Sequence, residues 1–403
     1  MNTATEDELL KAILGREGSF FQKAIDSVSI EIREKLADAR VLVIGAAGSI
    51  GAAFVRELSG FAPQGLHLLD ISENSLVEVV RDLRAGGYPL PEDFKTYSID
   101  YGGPEMVALL RANQYEYVLN FSALKHVRSE RDPFTLMRLL EVNVLANARL
   151  LDQLTAIPTI RGVFSVSSDK SVRPGNLMGA SKALMERVFL ADSEKIPFTS
   201  ARFANVAFSD GSLLHGFGYR LSKQQPFSAP NDVHRYFITR KEAGQLCILG
   251  CFTGYDREIY FPKFDPDRDM LSFAEIARIM LRKNGYEPYE CRSDKEALRF
   301  MRERPASSKQ WACYFSASDT MGEKPYEEFH DPAETLDFER FETVGVVTHP
   351  MFHGEASVHK ALASILALRD LGDWSKDKLI TAVQEAVPEL AHVQSGKNLD
   401  QKM

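Results

Sequence analysis

The most constraining feature of this chain is the stretch Gly45-Ala46-Ala47-Gly48-Ser49-Ile50-Gly51. It stands between an apolar run at 40–44 and an amphipathic helical pattern at 50–58. An apolar strand that ends in glycine and opens directly into a helix is the start of a β-α unit, with the N–H groups of the helix N-terminus facing an open edge. Gly45 permits the tight turn, Gly48 lets an anion approach the backbone, and Gly51 lets the helix lie close to the strand. Ser49 and Ile50 belong to the same candidate cofactor loop. Asp70 ends the next apolar run, at 66–70. An acid there accepts hydrogen bonds from ribose hydroxyls and repels a 2′-phosphate, and no arginine follows it directly, so the loop reads as an NAD site rather than an NADP site. Asp100 closes the run at 94–100, where a side chain can touch an adenine.

The alternation continues. Apolar runs at 117–121, 162–167 and 198–203 are interleaved with helical patterns at 74–84, 104–112, 134–154 and 179–192. This is the signature of an α/β fold, a Rossmann-type doubly wound parallel sheet covered on both faces. After about residue 206 the alternation weakens and Gly- and Pro-containing loops appear, as at 225–232 and 261–269, which predicts a smaller α+β C-terminal region. The expected organisation is a helical extension over 1–38, a dinucleotide-binding domain over 39–206, a substrate-binding region over 207–345 and a helical tail over 346–403. In the extension Leu9, Leu10, Ile13, Ile25, Val28, Ile30 and Ile32 are candidate inward positions. In the tail, Ser375 caps an amphipathic helix over 375–391 expected to pack on the body or on a subunit partner.

Composition removes several function classes. The 403 residues carry a net charge of -8, with 44% hydrophobic and 26% charged residues, as in an ordinary soluble globular protein. An acidic chain lacks the basic face by which nucleic-acid binders release counterions, so no nucleic-acid partner is expected. No run approaches the ~18 apolar residues of a membrane span. The N-terminus lacks the apolar core of a secretory signal. The four cysteines, Cys247, Cys251, Cys291 and Cys313, form no Cys-x-x-Cys pair and read as buried thiols in a reducing cytoplasm, with no metal site.

The spacing Gly-x-x-Gly-x-x-Gly resembles the extended short-chain dehydrogenase/reductases. Their Tyr-x-x-x-Lys pair follows the fifth strand. Here the segment from Ser167 to Lys182 places Lys182 at the lysine position and Met178 where tyrosine belongs. Ser168-Asp169-Lys170, then Pro174, then Met178-Gly179 and Lys182 resemble the CapD-like nucleotide-sugar 4,6-dehydratases of polysaccharide biosynthesis, in the branch with methionine for tyrosine. Asn120 to Val127, with Lys125 and His126, is similar to another segment of that family. So are Arg202-Phe-Ala-Asn205-Val, Arg235-Tyr-Phe-Ile-Thr and Gly322-Glu323-Lys324-Pro-Tyr-Glu-Glu. Ile44, Ala47 and Thr320 depart from the family pattern.

The resemblance implies a redox-neutral reaction on a nucleotide sugar such as UDP-N-acetylglucosamine, with NAD as cofactor. Asp169 is then the acid for the 6-hydroxyl and Lys170 the base at carbon 5. Asp169 must hold a proton and Lys170 must be partly neutral, which burial and neighbouring charge can arrange. Lys182 is expected at the nicotinamide ribose. Met178 has no proton to exchange, so the 4-hydroxyl proton must leave through Ser168, Asp169 or a water. Lys125 is expected to position substrate, Asn205 and Arg235 to grip the diphosphate, and Glu323 to touch the nucleotide ribose. His126 reads as structural. The resemblance also implies at least a homodimer formed by the helices at 134–154 and 179–192. An epimerase on the same scaffold, or a catalytically silent NAD- or nucleotide-sugar-binding protein, are the alternatives.

Overall fold

The computed structural model describes residues 5–191, 194–318, 324 and 326–391. Its centre is a nine-stranded sheet. Six parallel strands come from the first half: β1 (Arg40–Ile44), β2 (Gly65–Asp70), β3 (Asp93–Ser98), β4 (Tyr117–Asn120), β5 (Gly162–Val166) and β6 (Phe198–Ala201), ordered β3-β2-β1-β4-β5-β6. The order reverses beside β1, which leaves a crevice at the carboxyl ends of the strands. Glu258–Pro262 adds a seventh parallel strand beside β6. Val344–His349 and Thr335–Asp337 then extend the sheet antiparallel.

Each central strand is buried on both faces. In β1, Val41 and Val43 feed one core while Leu42 and Ile44 feed the other, because successive side chains on a strand point to opposite sides. Helices α1 (Glu6–Leu14) and α2 (Gln22–Leu36) form the N-terminal extension. On the first face α2, α3 (Ser49–Ser59) and the helix Arg240–Thr253 pack together. The second face carries α5 (Pro104–Ala112), α6 (Pro133–Leu140), α7 (Ala146–Leu154) and α8 (Leu177–Ala191), while α4 (Glu73–Ala85) packs along β2 and β3. Two three-stranded sheets, built from 205–206, 234–238 and 270–272 and from 227–230, 287–290 and 310–316, make the α+β region.

Several expectations need correction. The boundary at 206 cuts through one sheet, since three later strands return to it. The region from 346 begins inside the strand Val344–His349 and becomes helical only at Glu355–Leu371 and Lys376–Gln384. Leu9, Ile13, Ile25 and Ile32 are buried, but Ile30 is 73% exposed, because in α2 it falls on the opposite face from Ile25 and Ile32. The helix read over 134–154 runs without a gap but carries a π-turn at Glu141–Leu145.

The tail answers the question left open for it. Val358, Ala361, Ile365, Leu379, Val383, Ala386 and Leu390 pack into the core that contains α6, α7 and α8. Arg187 of α8 pairs with Glu389 and donates to the Ala386 carbonyl. Every residue of α8 is buried. The chain's own tail thus lies against α8, α6 and the π-turn, part of the surface on which a dimer was expected.

Candidate active site

The turn after β1 is held by backbone bonds. Gly45 and Ala46 donate to the Leu69 carbonyl at 2.8 and 3.1 Å. Gly45 has φ +71°, and a Cβ there would lie 2.5 Å from the Ser122 nitrogen beyond β4. At Gly51 a Cβ would meet the Gly45 carbonyl oxygen at 2.1 Å. Gly48 caps α3, and a Cβ there would have no protein atom nearer than 3.5 Å. Two of the glycines are therefore required by the protein's own packing and the third leaves space. Asp70 is the last residue of β2. Its Oδ2 accepts from the Ala47 nitrogen and its Oδ1 from that of Ser72, both at 2.9 Å, so it braces the loop. Ser49 donates to Asp210 Oδ2 at 2.9 Å and accepts from the Asp210 nitrogen at 3.0 Å, tying the loop to the C-terminal region.

A cavity of about 350 Å³ runs from this loop across the ends of β4, β5 and β6. Its walls carry Gly48, Ser49, Ile50, Gly51, Lys125, Ser168, Asp169, Lys170, Met178, Lys182 and Asn205. Residues as far apart in sequence as Gly48 and Asn205 are thereby brought together. β5 stops at Val166, and Asp169–Ser171 forms a single 3-10 turn. Because the strand has ended, Asp169 and Lys170 reach the same space, with Lys170 Nζ 3.2 Å from Asp169 Oδ1. Ser168 Oγ donates to Asp169 Oδ1 at 2.7 Å. The Asp169 side chain is 10% exposed and that of Lys170 37%.

Met178 and Lys182 lie one turn apart on α8 and face the cavity together. Glu130 accepts from the Met178 nitrogen at 2.8 Å and so caps the helix; burial raises its pKa, although these backbone donors oppose the rise. Burial pushes the Lys182 amine down to about 8, against the pull of Glu186 one turn on. Its Nζ donates to the Val166 carbonyl at 2.7 Å. Burial also lowers Lys125, while Asp210 raises it. His126 packs against Gly211 and its pKa is lowered, first by burial and then by Lys125. The loop that carries these two is clamped by Asn143, which the π-turn presents. Asn143 Oδ1 accepts from the Leu124 nitrogen, and its Nδ2 donates to the Leu124 carbonyl and to Ser181 Oγ, all at 2.9 Å. Nothing in the helical periodicity of 134–154 announces that residue.

Asp100 lies just beyond the end of β3, where it accepts from the Gly102 nitrogen and faces Arg138 at 3.5 Å. Two expected ligand contacts are placed differently. Arg235 is buried. It donates to the His234 carbonyl and lies 3.9 Å from Glu327, and it does not line the cavity. Asn205 does line the cavity, but its Nδ2 donates inward to Glu327 Oε1 and to the Tyr236 carbonyl. Glu323 lies outside the described residues.

Glu327 is the residue that sequence reading passed over. It belongs to the Tyr-Glu-Glu end of the segment in which Glu323 was singled out. Its side chain is 2% exposed. Burial first, and then the negative charge of Asp169, push its carboxyl up, while the Tyr236 N–H, Arg235 and Lys170 pull the other way. Arg202, of the Arg-Phe-Ala-Asn segment, is buried between Glu186 and Glu334 and braces α8 against the loop at 329–334. It does not face the cavity. Among the described residues no group of three or more His, Cys, Asp or Glu side chains could hold a metal.

Comparison with known proteins gives the family and the fold. The pattern of a family described as polysaccharide biosynthesis protein matches residues 41–344. An uncharacterized membrane protein of Methanocaldococcus jannaschii is 28% identical over 77% of this chain and 86% of its own. Among the described residues here, no helix is long and apolar enough to cross a membrane. The probable polysaccharide biosynthesis protein EpsC of Bacillus subtilis is 28% identical over 66% of this chain, which spans 44% of that protein. Among solved structures, Pen from Bacillus thuringiensis shares the fold with a TM-score of 0.62, at 20% identity over 79% of this chain and 90% of that one.

Proposed function

Because the chain belongs to the polysaccharide biosynthesis protein family, we propose that it is an NAD-dependent nucleotide-sugar 4,6-dehydratase, with UDP-N-acetylglucosamine as substrate, working in glycan assembly. The observation that carries this reading is the common cavity. One wall is a glycine loop with open space at Gly48, and another holds Asp169, Lys170, Met178 and Lys182.

The loop fits a dinucleotide. Gly45, Gly48, Ser49, Ile50 and Gly51 would hold its diphosphate at the N-terminus of α3, Asp70 its adenosine ribose and Lys182 its nicotinamide ribose. When bound, NAD would supply a reversible acceptor for one hydrogen with its electron pair, which leaves carbon 4 and returns at carbon 6. The protein's own side chains handle the protons. Met178 has none to exchange, so the 4-hydroxyl proton passes to Ser168 Oγ as Ser168 gives its own to Asp169, along the 2.7 Å hydrogen bond between them. Asp169, now neutral, donates that proton to the departing 6-hydroxyl, which leaves as water. Lys170, entering as the amine, takes the carbon-5 proton and later returns one. The two ends of the cycle balance, since the 4-hydroxyl proton and the 6-hydroxyl make the water that is lost.

Incubation with UDP-N-acetylglucosamine in deuterated water tests this. A product lacking the 6-hydroxyl and carrying deuterium at carbon 5 supports dehydration. A product that keeps the 6-hydroxyl rules it out. Lys170→Met should block exchange at carbon 5 while NAD still binds.

A further inference from the structure

Asn205 offers its surroundings one amide, and the structure uses its two halves differently. The nitrogen faces two acceptors, Glu327 Oε1 and, at 3.4 Å, the Tyr236 carbonyl. The Glu327 contact is much the closer of the two, and a carbonyl at 3.4 Å is only a marginal acceptor, so Glu327 decides which half of the amide faces inward. Among the described residues nothing donates to Asn205 Oδ1, and Asn205 lines the cavity beside Asp169 and Lys170. Glu327 is itself held, because its Oε2 accepts from the Tyr236 nitrogen at 2.8 Å and its Oε1 lies 3.9 Å from Arg235 Nε. The rest of the wall is rich in donors, namely Lys125, Lys170, Lys182 and the N–H groups at Gly48 to Gly51, which suit a diphosphate.

We propose that Glu327 is a positioning residue that turns the Asn205 carbonyl oxygen into the cavity, and that the pair thereby selects a sugar presenting a hydrogen donor there, a hydroxyl or an acylamino N–H. This deepens the nucleotide-sugar reading and rests on it. It also reverses the part expected of Asn205, since an acceptor repels a diphosphate and recognises the hexose.

The variant Glu327→Gln reverses the arrangement by hydrogen-bond logic alone. The Tyr236 N–H must still find an oxygen, so the glutamine oxygen takes the Oε2 place and its NH2 group meets Asn205. Asn205 must then turn its own oxygen inward and show NH2 to the cavity. Neutron diffraction from crystals of the unaltered protein and of Glu327→Gln reads this without any ligand. The Asn205 deuterons should point to Glu327 in the first and into the cavity in the second; the same orientation in both overturns the proposal. In calorimetry on NAD-loaded protein, Glu327→Gln should weaken UDP-N-acetylglucosamine by about tenfold or more and UDP by no more than about twofold. Equal losses for the two ligands overturn the selectivity. If the unaltered protein binds neither, the substrate assignment fails and the selectivity with it, while the neutron maps still decide the amide orientation. Should Glu327→Gln fail to fold, Asn205→Asp and Asn205→Leu decide instead. An acceptor role requires Leu to lose more affinity for UDP-N-acetylglucosamine than Asp, and a diphosphate-donor role requires the opposite order.

Discussion

Alanine placed at Gly48 and at Gly51 should separate ligand binding from folding within one turn of chain. At Gly51 the new Cβ would lie 2.1 Å from the Gly45 carbonyl oxygen and 3.0 Å from Ala46 Cα. Both are backbone atoms of the turn, so no side chain can rotate away, and α3 must move off β1. Overpacking of that kind costs about 1–3 kcal/mol, and more where the backbone cannot follow. At Gly48 the nearest atom is 3.5 Å away, and φ -71° with ψ 162° is open to alanine. The stability cost there is that of a poorer N-cap, about 0.5–1 kcal/mol. The same methyl occupies the space a diphosphate needs, so NAD affinity should fall by at least about tenfold, or about 1.4 kcal/mol. Urea unfolding of both variants, with calorimetric titration of NAD into Gly48→Ala, measures the two effects. Unchanged NAD affinity in Gly48→Ala, or a loss of stability equal to that of Gly51→Ala, would refute the division of roles.

Arg202→Met should leave Glu186 and Glu334 buried without their shared cation and cost about 3–5 kcal/mol in chemical denaturation; a change below about 1 kcal/mol would show that the network is not load-sharing. Truncation after residue 350 uncovers the apolar face of α8 and should drive self-association in sedimentation velocity; a truncated chain with the parent's size and stability would contradict the packing described. His67 is fully buried between the Tyr115 hydroxyl (2.8 Å) and Asp93 (3.1 Å), and burial lowers its pKa even with Asp93 beside it. A histidine held neutral in the fold contributes stability above its ordinary value of about 6.5 that is lost as pH falls below it. The urea midpoint should therefore drop between about pH 6.5 and 5, and less so in His67→Gln; equal slopes in the two proteins would exclude His67 as the cause.

Much of the site was legible along the chain because its parts are local. Gly45 to Gly51 carry a turn in which the close approach of Gly51 to the Gly45 carbonyl acts within seven residues, and Met178 and Lys182 share a helix face by spacing alone. Asp169 and Lys170 needed one further condition, that β5 end before them, and it does. The misplacements have a common origin. Arg235 and Asn205 were assigned by neighbourhood in sequence, but which way a buried polar group points is decided by partners far away. Glu327 lies 122 residues from the Asn205 it orients, and its own segment offers three glutamates that composition cannot rank.

What the linear order of residues determines here is the doubly wound sheet and the loop that opens it, since alternating apolar runs and glycine placement act over short range. Only the folded chain decides that strands from residues 258–262 and 335–349 complete the sheet, and that the tail seals α8. It also decides that an asparagine turns its oxygen to the cavity. Those outcomes depend on matching apolar faces and pairing every buried donor with an acceptor across long separations, and such matches exist only once the surfaces have met.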